Sequence, residues 1–238
     1  MTDHLFQDDA YLRDATATVT GHTQEGGIIL DRSIFYPTGG GQPGDSGSIH
    51  WDDGATRIAT AMKAGQGEIA LVPAEPHALP AVGTEVQQVI DWERRHRHMR
   101  MHTALHLLSV VLPLPVTGGQ IGVDRGRLDF LMPEPPEDRV ALEEALNDLI
   151  QSDAPVTDRW IDEAALDAQP ELVKTMSVRP PRGVGRIRLV RIGEANRQID
   201  LQPCGGTHVA RTAEIGRIGI SRIENKGKQN RRVHVHLD

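Results

Sequence analysis

Short runs of alternating hydrophobic and polar residues fill the first third of the chain. Residues 15–90 contain segments rich in Val, Ile and Thr, such as 17–20 and 27–30, separated by clusters of Gly, Pro and Asp. Short β-branched segments bounded by turn residues predict antiparallel strands joined by tight turns. We therefore expect residues 1–90 to form an N-terminal domain built as a small antiparallel β-barrel or sandwich.

The spacing of the hydrophobic residues changes after residue 90. From about Asp91 to Leu112 they recur at steps of three and four, at Met101, Leu105, Leu108 and Leu112. This spacing predicts an amphipathic helix. Pro113 and Pro115 should end it, because proline cannot continue a helix.

Further helices and strands are predicted downstream. A second helix is expected over 136–152 and a short one over 161–167, while alternation predicts strands at 187–192, in part of 215–223, and at 232–237. Helices mixed with mainly antiparallel strands indicate a two-layer α/β domain over 91–238. The fold class is therefore α+β, with a small barrel followed by a two-layer domain.

Composition narrows the class of protein. The chain has 238 residues, of which 38% are hydrophobic and 25% charged, with a net charge of -7. These values fit neither a disordered nor a membrane protein. The start lacks the basic and apolar regions of a secretion signal, and no apolar run approaches the roughly 20 residues that span a bilayer. A soluble cytoplasmic protein is expected.

Positive charge is concentrated late in the chain. Residues 178–238 carry 13 Lys/Arg against 5 Asp/Glu, whereas residues 1–90 and residues 91–177 both carry more acidic than basic residues. Such a segment would attract the phosphates of an RNA ligand, although arginines on strands are equally explained as a solvated face. Aromatic residues make up only 3%, so any RNA contact should be mostly ionic rather than stacked.

The predicted central helix carries two overlapping pairs of histidines. His98 with His102, or His102 with His106, would lie on one side of the helix and could bind one metal ion. A zinc protease would need a glutamate where Thr103 stands, so peptidase activity is disfavoured. The alternative is a histidine-rich helix without a metal.

The only cysteine lies four residues before another histidine. Because Cys204 has no second cysteine to pair with, an internal disulfide is impossible, and the glycines between it and His208 allow a tight loop. A thiolate and imidazoles together suit zinc, and Thr207 could form a supporting hydrogen bond. The alternatives are a small buried cysteine beside a core histidine, or a catalytic cysteine-histidine pair.

A glycine-rich loop, residues 35–45, is expected between strands of the first domain. It lacks the Gly-Lys-Ser/Thr ending and the following helix of a nucleotide-phosphate loop. Its three consecutive glycines would let a substrate or another backbone approach closely, and Gln42 offers an amide donor and acceptor. The alternative is a hairpin with a bulge.

Together these segments resemble the editing domain of alanyl-tRNA synthetases and its stand-alone relatives, the AlaX family. The similarity covers nearly the whole chain from about residue 15. It rests on four segments in the family's order: Phe35-Tyr36-Pro37 with Gly39 to Pro43, His102-Thr103-Ala104-Leu105-His106-Leu107-Leu108, Cys204-Gly205-Gly206-Thr207-His208-Val209 and Glu224-Asn225-Lys226-Gly227-Lys228.

The resemblance implies both a fold and an activity. It implies the longer family form, whose N-terminal barrel resembles that of translation factors, and hydrolysis of a misplaced amino acid from alanine tRNA without ATP or synthetase activity. It also selects one of the histidine pairs. The zinc ligands it implies are His102, His106, Cys204 and His208.

Serine on alanine tRNA is the expected substrate, with glycine as a second. A pocket that hydrogen-bonds the serine hydroxyl would spare alanine, and the side chains expected to position the substrate are Thr103, Gln42 and Gln120. Four protein ligands are more typical of structural than of catalytic zinc, so the role of the metal stays open.

Two alternatives to this function remain. One is a non-catalytic tRNA-binding module with a structural zinc. The other is editing of a different tRNA, because a related fold occurs in threonyl-tRNA synthetases; the glycine-rich loop followed by Gln42 favours alanine tRNA.

Overall fold

The computed structural model describes residues 1–76, 78–175, 183 and 185–238. The chain forms two compact units, Met1–His96 and Arg97–Asp238. The change of hydrophobic period in the sequence predicts the border near residue 90. Residues 178–182 and 184, in the segment expected to contact RNA, lie outside the described residues.

The first unit is a closed six-stranded barrel with strand order β2-β3-β7-β6-β5-β8, and all of its pairings are antiparallel. A short parallel pair, β1 with β4, and a one-turn helix complete it. Its elements are β1 (Asp3–His4), α1 (Leu5–Asp8), β2 (Asp14–His22), β3 (Ile28–Leu30), β4 (Arg32–Ser33), β5 (Gly47–Trp51), β6 (Gly54–Lys63), β7 (Ile69–Pro73) and β8 (Glu85–Ile90). The expectation of a small antiparallel barrel is confirmed.

The alternation of the sequence places the core of this barrel. Along β6, Thr56 and Ile58 are buried while Ala55 and Arg57 are exposed, which is the two-residue period of a strand with one face inside. Ile28, Leu30, Phe35, Ile49 and Leu71 have at most 1% exposed surface and fill the interior.

A long helix, α2 (Trp92–Val111), follows the barrel strands. Its first turn is held by Asp91, whose carboxylate accepts a hydrogen bond from the backbone N–H of Arg94 at 3.2 Å. The predicted bounds, about 91–112, are confirmed, and the helix ends ahead of Pro113. Because Ala104 and Leu107 are buried together with Leu105 and Leu108, more of the helix is covered than a single apolar stripe implies.

The described residues of the second unit form two antiparallel sheets and several helices. One sheet has the order β14-β15-β10-β9, and the other has the order β11-β12-β13. The elements are β9 (Val116–Ile121), β10 (Arg125–Leu131), α3 (Arg139–Gln151), β11 (Val156–Asp162), α4 (Glu163–Asp167), β12 (Arg186–Glu194), β13 (Arg197–Pro203), β14 (Ile218–Asn225) and β15 (Asn230–Leu237), with 3₁₀ turns at Pro170–Leu172 and Thr212–Ile215. The α+β class is confirmed.

Helix α3 packs on the first of these sheets. Its start is set by Asp138, whose side chain accepts from the N–H groups of Val140 and Ala141, so the helix begins three residues later than residue 136. Asn147 donates to the carbonyl of Ile218 and accepts from its N–H, at 2.8 and 3.0 Å. These two hydrogen bonds join the helix to β14.

The hydrophobic pattern did not predict four strands of this unit: β9, β10, β11 and β13. Strand β9 contains two adjacent glycines, which lower its strand propensity, and the exposed strand β11 lacks alternating burial. Strand β14 begins at Ile218 rather than 215, because the preceding residues form a 3₁₀ turn.

None of the described helices is both long and apolar enough to cross a lipid bilayer.

Candidate metal centre

Four side chains from two distant segments converge in the second unit. His102 and His106 come from α2, while Cys204 and His208 come from the loop after β13, and their ligand atoms all lie within 4.8 Å of one another. The Cys204 Sγ is 3.5 Å from His102 Nε2 and 3.3 Å from His208 Nε2. The structure thus brings together all four residues that the family resemblance implies as ligands. His98 is not part of this group.

The local fold explains this convergence. One helical turn places His102 and His106 on the same side of α2. The opposite loop is held by Arg188 of β12, whose guanidinium donates to the carbonyls of Cys204 and Gly206 at 3.2 and 3.0 Å. The backbone N–H of Gly206 also donates to the Cys204 Sγ at 3.4 Å. The loop therefore folds around its own thiol.

A fully buried carboxylate supports one of the imidazoles. His106 Nδ1 lies 3.0 Å from the carboxylate of Asp200, which also accepts from Gln202 Nε2 at 2.8 Å and forms an ion pair with Lys174. Hydrogen bonding at Nδ1 leaves Nε2 of His106 available as a ligand atom. Asp200, Gln202 and Lys174 are functional candidates that the sequence analysis did not identify.

The two-residue period of β13 could have identified part of this set. Asp200, Gln202 and Cys204 stand at alternate positions, so they share one face of the strand and its continuation. Arg188 and Lys174 gave no such signal. Arg188 lies in a strand buried on both faces, where alternation does not separate inside from outside, and Lys174 precedes Asp200 by 26 residues.

Thr103 lies behind a second imidazole. Its Oγ1 is 2.9 Å from the carbonyl of Met99, to which it donates, and 3.1 Å from His208 Nδ1. It also accepts from the N–H of Val209 at 3.3 Å. These contacts orient His208, and a contact of Thr103 with the substrate stays a prediction.

The charges of the cluster are strongly coupled. Burial lowers the pKa of His106, but the hydrogen bonds that its ring donates to Asp200 and Cys204 outweigh this effect and raise that pKa to about 9. Burial would raise the pKa of Asp200, yet His106 and Lys174 bring it down to about 2. For His208, burial and the neighbouring His102 lower the pKa to about 3. Burial opposes ionisation of Cys204, but His102 and His208 hold the pKa of its thiol well below the usual range.

The donor set fits a transition-metal ion. A thiolate is the metal-binding form of cysteine, and one thiolate with three imidazoles is a combination that zinc accepts. The carboxylate behind His106 is the usual support of a metal-bound imidazole. These four residues can hold a metal ion.

The two other predicted site residues are not members of the four-residue cluster. Gln42 belongs to the barrel unit and is 1% exposed. Gln120 lies on β9, where its exposed side chain accepts a hydrogen bond from Arg127 Nε at 3.3 Å. Their contacts with a substrate stay predictions.

The glycine-rich loop forms a tight turn. Gly39 and Gln42 exchange two backbone hydrogen bonds, of 3.0 and 2.9 Å, around Gly40 and Gly41. These two glycines have φ values of 56° and 82°, a conformation that other residues rarely adopt. The loop therefore contains a hairpin turn, in line with the simpler of its two interpretations.

Comparison with known proteins defines the class to which this fold and site belong. Residues 9–94 match the family model of class II (A) tRNA synthetases, and residues 187–234 match that of the threonyl and alanyl tRNA synthetase second additional domain. The class is thus that of proteins similar to domains of the class II tRNA synthetases.

Individual relatives define the family more closely. The alanyl-tRNA editing protein AlaX-M of Methanosarcina acetivorans is 34% identical over 247 residues, which cover 100% of this chain and 99% of the relative. AlaX-M of Saccharolobus solfataricus is 32% identical, with 98% of each chain covered. The alanine–tRNA ligase of Pyrobaculum calidifontis is 33% identical over 94% of this chain but only 25% of the ligase. The chain belongs to the AlaX family of alanyl-tRNA editing proteins.

Proposed function

We propose that this protein hydrolyses the ester that joins a wrongly attached amino acid, serine in the first place, to alanine tRNA. The observation that carries the proposal is the convergence of His102, His106, Cys204 and His208 in a chain that aligns with AlaX-M along its full length. The names of the relatives describe alanyl-tRNA editing, and they supply the tRNA as the partner. The reaction needs no ATP, and the cytoplasm, where tRNA is charged and used, is the proposed compartment.

Zinc is the metal that we propose for the site. When bound there, zinc would supply a Lewis acid able to polarise the ester or a water molecule. The protein prepares for it by ionising Cys204 and by fixing two imidazoles from behind, His106 through Asp200 and His208 through Thr103. A four-ligand site is more typical of a structural metal, so activity and metal content must be measured separately.

Selectivity for serine requires a hydrogen bond that alanine cannot form. A site that pairs with the substrate hydroxyl can reject the analogue without it by about 10⁴-fold, because its own polar group would be left unpaired. Thr103, Gln42 and Gln120 are the proposed partners. Glycine also lacks the hydroxyl, so its removal would have to depend on small size.

The decisive experiment compares alanine tRNA charged with serine, glycine or alanine, without ATP and with or without a zinc chelator. Rapid loss of serine with alanine retained supports editing, and slowing by the chelator supports a metal requirement. Tight binding without hydrolysis of any ester would favour the non-catalytic module. Faster hydrolysis of another tRNA charged with serine would redirect the proposal to that tRNA.

Two histidines of the same helix provide a matched pair of variants for the metal site. His106→Gln should lose the bound zinc, while His98→Gln should retain about one ion per chain, because only His106 belongs to the cluster. Zinc content measured by atomic spectroscopy on the purified variants distinguishes them. Loss from both, with the fold of each intact, would argue against this ligand set.

The role of Thr103 needs two substitutions. Thr103→Val removes the hydroxyl and nearly keeps the shape, whereas Thr103→Ser keeps the hydroxyl. If Thr103 recognises serine, the valine variant should lose the preference for serine over alanine and the serine variant should retain it. An unchanged preference in both would leave Thr103 only its support of His208.

A further inference from the structure

We propose that the lysine hairpin, residues 225–231, binds phosphates of the tRNA acceptor arm while the aminoacylated end of the tRNA lies at the metal cluster. The hairpin includes the last residue of β14 and the first two residues of β15. This inference rests on the proposed function, because it assigns a surface to the same tRNA. The hairpin reads Asn-Lys-Gly-Lys-Gln-Asn-Arg and contains three positive charges without a carboxylate.

The backbone of the hairpin is held by hydrogen bonds, while its lysine side chains are exposed. The N–H of Lys226 donates to the carbonyl of Asn230 at 2.8 Å, and the N–H of Gly227 donates to the side chain of Asn225 at 2.9 Å. Gly227 has a φ of 128°, which suits glycine at this sharp turn. Lys226 and Lys228 are both exposed. The backbone thus presents two ammonium groups on a fixed turn.

Among the described residues, five other cations of the basic segment already form ion pairs with carboxylates. Arg232 pairs with Asp129, Arg222 with Glu224, Arg217 with Asp238, Arg211 with Asp153 and Arg188 with Asp158. Within the described part of the chain, neither Lys226 nor Lys228 forms an ion pair or a side-chain hydrogen bond. Unpaired exposed cations are free to replace the counterions of a nucleic-acid backbone, which is the main source of its affinity for proteins.

A short series of contacts links the hairpin to the metal cluster. Asn230, at the base of the hairpin, accepts a hydrogen bond from Thr117 at 3.1 Å, and the N–H of the preceding Val116 donates to the carbonyl of Lys174 at 3.1 Å. Lys174 is paired with Asp200, which contacts His106. These contacts connect the hairpin, within the second unit, to the residues that support the metal cluster.

Binding of uncharged alanine tRNA at several salt concentrations tests this surface. The double variant Lys226→Ala/Lys228→Ala should bind roughly tenfold more weakly near 0.15 M salt, and its logarithmic salt slope should fall by about 0.7 to 0.9 for each lysine removed. The variant Lys226→Arg/Lys228→Arg keeps both charges and should behave like the natural protein. The matched control is Arg211→Ala/Arg217→Ala, which removes two paired charges from the same segment and should leave the slope nearly unchanged.

Hydrolysis adds a second readout. Two substrates are compared: alanine tRNA charged with serine, and seryl-adenosine, which has no phosphates. In the double alanine variant, the ratio of kcat/KM on the first to kcat/KM on the second should fall roughly tenfold, because KM for the tRNA rises. An unchanged salt slope together with an unchanged ratio would overturn the proposal. An equal loss of tRNA affinity in the control Arg211→Ala/Arg217→Ala would also overturn it. If the natural protein hydrolyses neither ester, the proposed function fails, and the binding measurement still decides the role of the hairpin.

Discussion

At the scale of single residues, Asp200 illustrates how the site is prepared. Its carboxylate has no exposed surface and lies between the imidazole of His106 and the ammonium of Lys174. A buried charge needs such partners, since its desolvation is otherwise costly. In return it fixes which nitrogen of His106 faces the other ligands.

Asp200→Asn should therefore weaken metal binding. The asparagine keeps the size but loses the negative charge that supports His106, and loss of such a partner typically lowers metal affinity by about 10- to 100-fold. Competition with a chromogenic chelator measures the zinc dissociation constant. Asp129→Asn, which changes a partly buried carboxylate of the same unit, serves as the control and should leave that constant unchanged. Equal affinities in the Asp200 variant and the natural protein would contradict the supporting role.

How far the site could be predicted also becomes clear at this scale. The spacing of four in His102 and His106, and in Cys204 and His208, marks all four ligands, but overlap with His98 required the family resemblance for a choice. Arg188 and Lys174 act through contacts between segments far apart in sequence. No local pattern contains that information.

At the scale of elements, the glycine-rich loop is fastened to the start of α2. Arg95, with no exposed side-chain surface, forms an ion pair with Asp45 and donates to the carbonyls of Ala10 and Ile34 at 3.0 and 2.6 Å. Asp45 also accepts from the N–H of Tyr36 at 2.6 Å. One guanidinium thus connects three segments of the barrel unit.

Asp45→Asn should destabilise the barrel unit by about 3 to 5 kcal/mol, because it leaves the charge of Arg95 buried and uncompensated. Urea denaturation followed by circular dichroism gives the change in the free energy of unfolding. Asp52→Asn, at an exposed turn, should change it by less than about 0.5 kcal/mol. A small effect at Asp45 would show that water or another group compensates Arg95.

The four-stranded sheet carries a charge pair whose effect depends on pH. The hydrogen bond from Arg232 lowers the pKa of Asp129 below its ordinary 3.8; burial opposes this shift, and Arg127 strengthens it. Because the folded pKa is lower than the unfolded one, the stabilisation is complete above about pH 5 and is lost as the pH falls through the folded value. The stability difference between the natural protein and Asp129→Asn should therefore shrink between pH 5 and pH 3. Thermal unfolding at each pH measures it, and a constant difference would disprove this coupling.

The hydrophobic pattern predicted elements with unequal success. The period of α2 and the alternating residues of the barrel were sufficient, because each of these elements buries one definable side. Strand β10 also alternates, with Gly126, Leu128 and Phe130 buried, yet its charged neighbours and glycine obscured it. Strand β12 is buried on both faces, so its alternation indicated the strand but not the side on which Arg188 lies.

At the scale of the molecule, a bound metal would stabilise the second unit in particular. A ligand present at a thousand times its dissociation constant adds about 4 kcal/mol to the folded state. Removal of the metal should then lower the midpoint of thermal unfolding by about 10 °C.

Hydrogen exchange can locate this loss. After chelation, the amides of residues 197–202, which lead into the Cys204 loop, should exchange faster, while those of Ile28–Leu30 in the barrel should change less. Re-addition of zinc should restore the slow exchange. Equal acceleration in both strands would contradict a stabilisation centred on the cluster.

The two halves of the ligand set are separated by 102 residues between His102 and Cys204. During synthesis, the barrel unit and the two helical histidines leave the ribosome well before the thiol does. Contacts between such distant segments form slowly, and N-terminal domains fold first. The complete ligand set exists only once the chain has been made through His208, so a metal ion that needs all four ligands would bind only in the last steps of maturation.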